Sequence, residues 1–263
     1  MPKDPQNIHA VAARAGVSAA TVSRVFNFPD KVAPATRELV AQAAHELGYQ
    51  PNASARTLRT QRSRVLGVVL PTLLNPAFAE CLQGIALAAA ANGYAILPVM
   101  TSYDEAQEQQ AVAQLLAAGV DGMILVVSSP SDSAALARLR GTGLPYVLAY
   151  NAHPEHPCVS VDGEAAAAEA VARLVALGHS RIAMVSGTLT ASDRAQQRYH
   201  GFQRALAQAG LPSGELIEVP FVESATRTVA IRLRRPARPS ALLCSNDLLA
   251  LRCLRAAAIA GLA

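Results

Sequence analysis

"AGVSAATVSRVFN", Ala15 to Asn27, decides how the first quarter of the chain folds. Gly16 sits where a helix stop or tight turn is wanted, and Ser18 is a good N-cap for the helix that follows. Within that helix Val22, Val25 and Phe26 share one apolar face, while the opposite face carries Ala19, Ala20, Ser23, Arg24 and Asn27. Upstream, Ile8, Val11, Ala12 and Ala15 have the i, i+3, i+4, i+7 spacing of a short helix over 8–15. Downstream, a helix from Pro34 to Leu47 begins with a proline suited to its first turn. Its Leu39, Val40, Ala43, Ala44 and Leu47 are spaced to close a three-helix core. Two short helices about a glycine turn predict a helix-turn-helix.

A helix face this bare lets its axis come close to base edges in a DNA major groove. Ala19 and Ala20 can touch thymine methyl groups, and Arg24 can make the bidentate contact to guanine. Thr21, Ser23 and Asn27 suit phosphates or base edges. The same small side chains also fit a helix packed against another helix. The next segment, "PNASARTLRTQRSR" (Pro51 to Arg64), carries Arg56, Arg59, Arg62 and Arg64, with no acid between Glu46 and Glu80. Leu58 among those arginines is arranged like a wedge for a minor-groove base step; a basic linker whose leucine packs on the next domain has the same pattern. Charge is spread to match: residues 1–64 hold nine Lys/Arg against four Asp/Glu, a net +5, whereas residues 65–263 hold fourteen Arg against fifteen acids, a net −1. That asymmetry points to a nucleic-acid or membrane contact by the first segment.

From these residues outward the chain resembles the LacI/GalR family of bacterial repressors. The resemblance rests on "IHAVAARAGVSAATVSRVFN" and on "VAPATRELVAQAAHELGYQPNASARTLRT". It implies an all-α helix-turn-helix headpiece over 1–50 and a hinge helix over 51–63. An effector-binding, dimerising α/β domain similar to periplasmic sugar-binding proteins would follow over 64–263, built as two parallel-sheet subdomains. It puts Ala19 and Ala20 where family members vary base-reading side chains, and Arg24 in the groove. Asn52, Ala55 and Leu58 fall on the hinge helix, with Leu58 intercalating. The implied partner is double-stranded DNA, a near-palindromic operator bound by a homodimer.

Beyond Arg64, apolar runs at 65–70, 94–100, 121–127, 145–150, 158–161, 181–186 and 240–245 alternate with helical stretches such as 77–92, 105–118, 164–177 and 195–209. Strands alternating with helices predict parallel sheets covered on both faces. The family landmarks continue here in "GVDGMIL", "RYHGFQRALAQAGL" and "PSALLCSNDLLALRCLRAAAIAGL". The resemblance implies effector contacts from Asn75, Phe78, Tyr150, Asp162, Arg198, Phe221, Asn246 and Asp247, a set suited to a sugar or sugar acid. It stops at Ala263, before a strand and an acid-bearing turn that the family pattern carries next. One side of the cleft and part of the dimer surface are therefore expected to be incomplete.

Other chemistry is sparse. No dinucleotide fingerprint, P-loop or nucleophile elbow occurs. The residues offer no catalytic constellation, imply no cofactor and complete no metal site. His153 and His156 in "HPEHP" read as a solvated loop, and the four scattered cysteines as reduced thiols. No apolar run is long enough to span a membrane and the N-terminus lacks the apolar core of a signal peptide, so the chain reads as cytoplasmic. A solute-binding protein, a sugar- or nucleoside-processing enzyme and a truncated regulator without effector response are the competing readings.

Overall fold

The computed structural model describes residues 7–50, 62–221 and 226–262. The chain divides into two compact units at Ser63/Arg64.

In the first unit, helix α1 (Ile8–Ala15) starts where the Asn7 side chain accepts the N–H groups of His9 and Ala10 at 3.0 and 2.9 Å. It stops at Gly16, whose φ of 68° is the left-handed conformation that glycine adopts without strain. Helix α2 (Ala19–Asn27) is capped by Ser18, whose Oγ accepts the Thr21 N–H at 3.1 Å. Helix α3 (Pro34–Glu46) has Pro34 in its first turn. Val11, Ala12, Val22, Val25, Val40, Ala43 and Ala44 form the core, with Phe26 and Leu47 packed on its edge. Leu39 does not join it and is 55 % exposed. The buried stripe of α3 runs through 40, 43, 44 and 47, and position 39 lies about 100° round the helix from 40.

The second unit holds two parallel sheets. Strands β1 (Val65–Leu70), β2 (Ala95–Met100), β3 (Gly122–Leu125), β4 (Tyr146–Ala149) and β5 (Cys158–Val159) pair in the order β2-β1-β3-β4-β5. Strands β6 (Ile182–Ser186), β7 (Leu216–Glu218) and β8 (Ala241–Cys244) pair in the order β7-β6-β8. Helices α4 (Pro76–Ala91), α5 (Glu105–Ala117) and α6 (Ala134–Thr142) belong to the first half. Helices α7 (Gly163–Ala176), α8 (Asp193–Gln208), α9 (Thr226–Leu233) and α10 (Asp247–Ile259) belong to the second. Strand β7 and helices α6, α9 and α10 add to the elements spelled out by the apolar runs.

The expected continuous burial holds for β6, buried along its whole length, and for the last four residues of β1. It fails for β2, an edge strand whose Ala95, Leu97 and Pro98 face outward. β5 is shorter than its apolar run, with Val159 and Val161 exposed. The core of the first half is aliphatic, centred on Val69, Leu115, Leu125, Leu136 and Leu148. The second sheet is covered by α9 and α10 on one face and by α7 and α8 on the other. β8 forms one edge of that sheet, beside a groove of about 810 Å³ lined by Leu242, Leu254, Ala257 and Leu262.

Helices α7 and α8 approach so closely that a Cβ at Gly201 would sit 2.1 Å from the Glu164 carbonyl oxygen. That neighbour is backbone and cannot swing aside. Gly201→Ala is predicted to push the two helices apart and to cost about 2 kcal/mol, read as a lowered midpoint in chemical denaturation. A variant as stable as the parent would mean that this helix pair gives way without loss.

Candidate functional site

Between the halves of the second unit, at the C-terminal ends of the strands, lies a cleft of about 300 Å³. Parallel sheets place clefts there, because the helices that follow each strand start at that edge. Three of those starts open on it. α4 begins with Asn75, whose Oδ1 accepts the Ala77 N–H at 3.2 Å. α8 begins with Ser192, whose Oγ accepts the Ala195 N–H at 3.3 Å. α10 begins with Asn246, whose Oδ1 accepts the Leu249 N–H at 2.9 Å.

Four aromatic rings line the same space. Phe78 meets Tyr150 edge to face, ring centroids 5.5 Å apart, and the Tyr150 hydroxyl donates to the Ala77 carbonyl at 3.0 Å. Tyr103 from the first half stacks on Phe221 from the second, centroids 4.2 Å apart and planes within 12°. The other side of Phe221 presses on Gly187, where any Cβ would fall within 2.3 Å of the ring. Only glycine leaves room for that ring to reach across. Tyr103 and Tyr150 both hold φ above 60°, a conformation uncommon outside glycine.

Beneath the cleft a buried polar cluster ties the halves together. The Asn151 side chain donates to the Val127 carbonyl and to Asp193 Oδ1, both at 2.9 Å, and accepts the Val127 N–H at 2.9 Å. Arg194 Nη1 donates to the Val127 carbonyl at 2.7 Å and to Asp193 Oδ1 at 2.9 Å. The Asp193 N–H donates to the Ser128 carbonyl at 2.8 Å. Glu108 accepts the Ser128 N–H at 2.8 Å and its hydroxyl at 3.2 Å. Burial raises the Glu108 carboxyl to about 7, and burial also raises Asp193 against the opposing pull of Arg194.

Of the eight residues expected at an effector site, Asn75, Phe78, Tyr150, Arg198, Phe221, Asn246 and Asp247 line this one cleft. Asp162 is not among its lining residues. It is exposed, and its carboxylate caps α7 by accepting the Ala165 N–H at 2.8 Å. Tyr103, Ser192, Arg194 and Ser245 line the cleft without having been singled out. Their signal was position: each follows a strand's C-terminal end or opens a helix. The histidine loop is exposed at Pro154, Glu155 and Pro157, as expected of a solvated loop, but not at its second histidine. His156 is buried, with Nδ1 2.6 Å from the Tyr146 hydroxyl, and no metal-holding cluster occurs among the described residues. The thiols of Cys244 and Cys253, nine residues apart in sequence, lie 3.6 Å from each other.

In the first unit, Ala20 and Arg24 are exposed and share a stripe with the half-buried Ser23 and Asn27. The Asn27 amide donates to the Ser23 carbonyl at 2.6 Å, and Thr21 Oγ1 lies 2.9 Å from Ser18 Oγ. Ala19 is half-buried and packs on the core edge. Asn52, Ala55, Arg56 and Leu58 lie outside the described residues.

Two family profiles cover nearly the whole chain. Residues 7–52 match bacterial regulatory proteins of the lacI family, and residues 63–262 match periplasmic binding proteins and the sugar-binding domain of the LacI family. The chain belongs to the LacI family. Catabolite control protein A of Priestia megaterium is 33% identical over 260 residues, covering 97% of this chain and 78% of that protein. The HTH-type transcriptional repressor CytR of Escherichia coli K12 is 32% identical over 261 residues, 96% of this chain and 75% of the repressor. The lac repressor dimer, solved bound to operator and the anti-inducer ONPF, superposes with a TM-score of 0.86 at 29% identity, covering 98% of this chain and 79% of that one. This LacI-family chain is thus a transcriptional regulator in fold and in kinship, and no helix among its described residues is long and apolar enough to cross a membrane.

Glu108 makes stability pH-dependent. Its folded value lies above the ordinary 4.5, so the folded chain binds the proton more tightly than the unfolded one. That stabilisation is complete below about 4.5 and is lost as pH rises through about 7, a change on the order of 3 kcal/mol. Glu108→Gln keeps an acceptor for the Ser128 N–H but removes the ionisation. It should flatten the slope of unfolding free energy between pH 5 and 8 and leave the variant at least as stable as the parent at pH 8. A profile parallel to the parent's would place the titrating group elsewhere.

Proposed function

We propose that the chain is a sequence-specific DNA-binding repressor whose grip on its operator is set by a small metabolite held in the cleft, a sugar or sugar acid. The observation that carries this reading is the pairing, within one chain, of a helix whose exposed stripe is lean except for Arg24 with a ligand-sized cleft walled by rings and polar groups. A solute carrier needs the cleft but not the helix. No role as an enzyme is proposed. The regulator works in the cytoplasm, beside the DNA it reads.

Ligand seated between the two sheets alters the balance between open and closed arrangements of the halves. In a dimer on a near-palindromic operator, that change alters how two headpieces are presented. Support for the dimer comes from the first half: Leu87 on α4 is 67% exposed and Leu97 on the adjacent edge strand β2 is 40% exposed. An apolar edge strand beside an apolar helix face invites a second copy.

Two measurements test the reading. An operator selected from a random-sequence library should bind the chain, and a cleft ligand should change that affinity. Arg24→Ala is expected to cost roughly 1–3 kcal/mol on the selected operator and to relax selectivity at one base pair per half-site. Equal loss on random DNA would reduce Arg24 to a phosphate contact. Leu87→Glu should shift the chain from dimer to monomer in sedimentation and weaken operator binding. An unchanged dimer would move the interface away from α4.

A further inference from the structure

Three polar groups left over in the cleft can donate to the same ligand atom. Arg194 is 6% exposed; its Nη1 is occupied by the Val127 carbonyl and Asp193, but its buried Nη2 has no hydrogen-bond partner among the described residues. Ser245 Oγ, on the second half, is likewise buried and unpartnered. Arg198, half-buried on the cleft wall, has no hydrogen bond or ion pair among the described residues. Each arginine could answer an anion with paired, charge-assisted N–H donors.

The backbone adds to the same field. The N-termini of α4, α8 and α10, helices of 16, 16 and 13 residues, open on this one space. Each carries a partial positive charge and free N–H groups. The acids nearby do not cancel it. Asp193 is engaged through Oδ1 by Arg194 and Asn151, while its buried Oδ2 has no hydrogen-bond partner among the described residues; Glu108 is engaged by Ser128, and Asp247 is an exposed carboxylate in the cleft's lining. Asp193 answers the charge of Arg194 directly and acts on that of Arg198 only through space, since Arg198 has no hydrogen-bonded acid among the described residues.

We infer that the effector is a small organic anion, with a carboxylate or phosphate seated against Arg194, Arg198 and Ser245 where the three helix N-termini converge. This rests on reading the cleft as the effector site and narrows it: a neutral polyol would leave the buried Nη2 of Arg194 without a charged acceptor. Arg194 becomes a specificity-determining residue, held by the crossover through Nη1 while Nη2 faces the ligand.

The test is calorimetric titration of the full chain at pH 7.5, in low and high salt. The probes are glucose, gluconate, glucuronate, glucose 6-phosphate, ribose and ribose 5-phosphate. At least one anion should bind tenfold or more tighter than its neutral parent and weaken as salt rises; the carboxylate and phosphate arms identify which group is used. Arg198→Gln, which removes no hydrogen bond or ion pair among the described residues, should cut anion binding ten- to a hundredfold and weaken a neutral sugar by much less. Arg194→Lys keeps a charge near the Val127 carbonyl and should lower anion affinity while the chain still binds operator. A neutral sugar binding as tightly as its anions, or equal loss of both in Arg198→Gln, would overturn the inference and leave the regulator reading intact. No binding of any of the six by a chain that still holds operator DNA would overturn it together with the sugar or sugar-acid reading of the cleft.

Discussion

The second unit depends on how buried polar groups are satisfied where its two sheets meet. Chain crossing between two parallel sheets leaves backbone N–H and C=O groups at the strand ends without ladder partners, and burying them bare would cost several kcal/mol. Asn151 resolves this by taking both the N–H and the carbonyl of Val127 while reaching Asp193 in the other half. Arg194 and Glu108 extend the same network to Val127 and Ser128. Arg194 and Arg198 are placed relative to these contacts, since α8, which carries both, starts from them. Separating the halves would strand charged groups.

The chain spends its few large rings in keeping with that arrangement. Of eleven Phe and Tyr residues, four line the cleft, while the cores of both halves are built mainly from Val, Leu, Ile, Met and Ala. Aliphatic cores suffice for parallel sheets whose strands are covered on both faces. The rings serve where planar surface matters, and Gly187 is the concession that lets Phe221 lie flat between its own half and Tyr103. The headpiece is built on a similar economy. Valine and alanine fill its core, and the Asn7 and Ser18 caps with the Gly16 turn fix the angle at which α2 is presented.

Much of this was readable from the residues in order, because it rests on local rules. Helix periodicity, the Ser18 cap and the Gly16 stop placed the headpiece helices, and apolar runs placed seven of the eight strands. Periodicity overreached at Leu39, since an apolar residue next to a buried stripe looks the same in sequence as one within it. It missed β7, only three residues long, for which no period exists to be read.

The cleft was readable in part. Helix-opening residues such as Asn75 and Asn246 are marked by their place after apolar runs, but Asp162 carries the same mark and caps its helix without joining the cleft's lining. Which helix starts share a cavity depends on strand order, and strand order is a long-range property. The pairing of Tyr103 with Phe221, the link from Glu108 to Ser128 and the bare Nη2 of Arg194 join residues that local periodicity cannot relate. The sequence by itself determined the headpiece helices, most of the strands that follow and the lean face of α2. Only the tertiary structure decided which polar groups were used up holding the sheets together and which were left facing the cleft, because a hydrogen bond already made is a fact of three-dimensional distance.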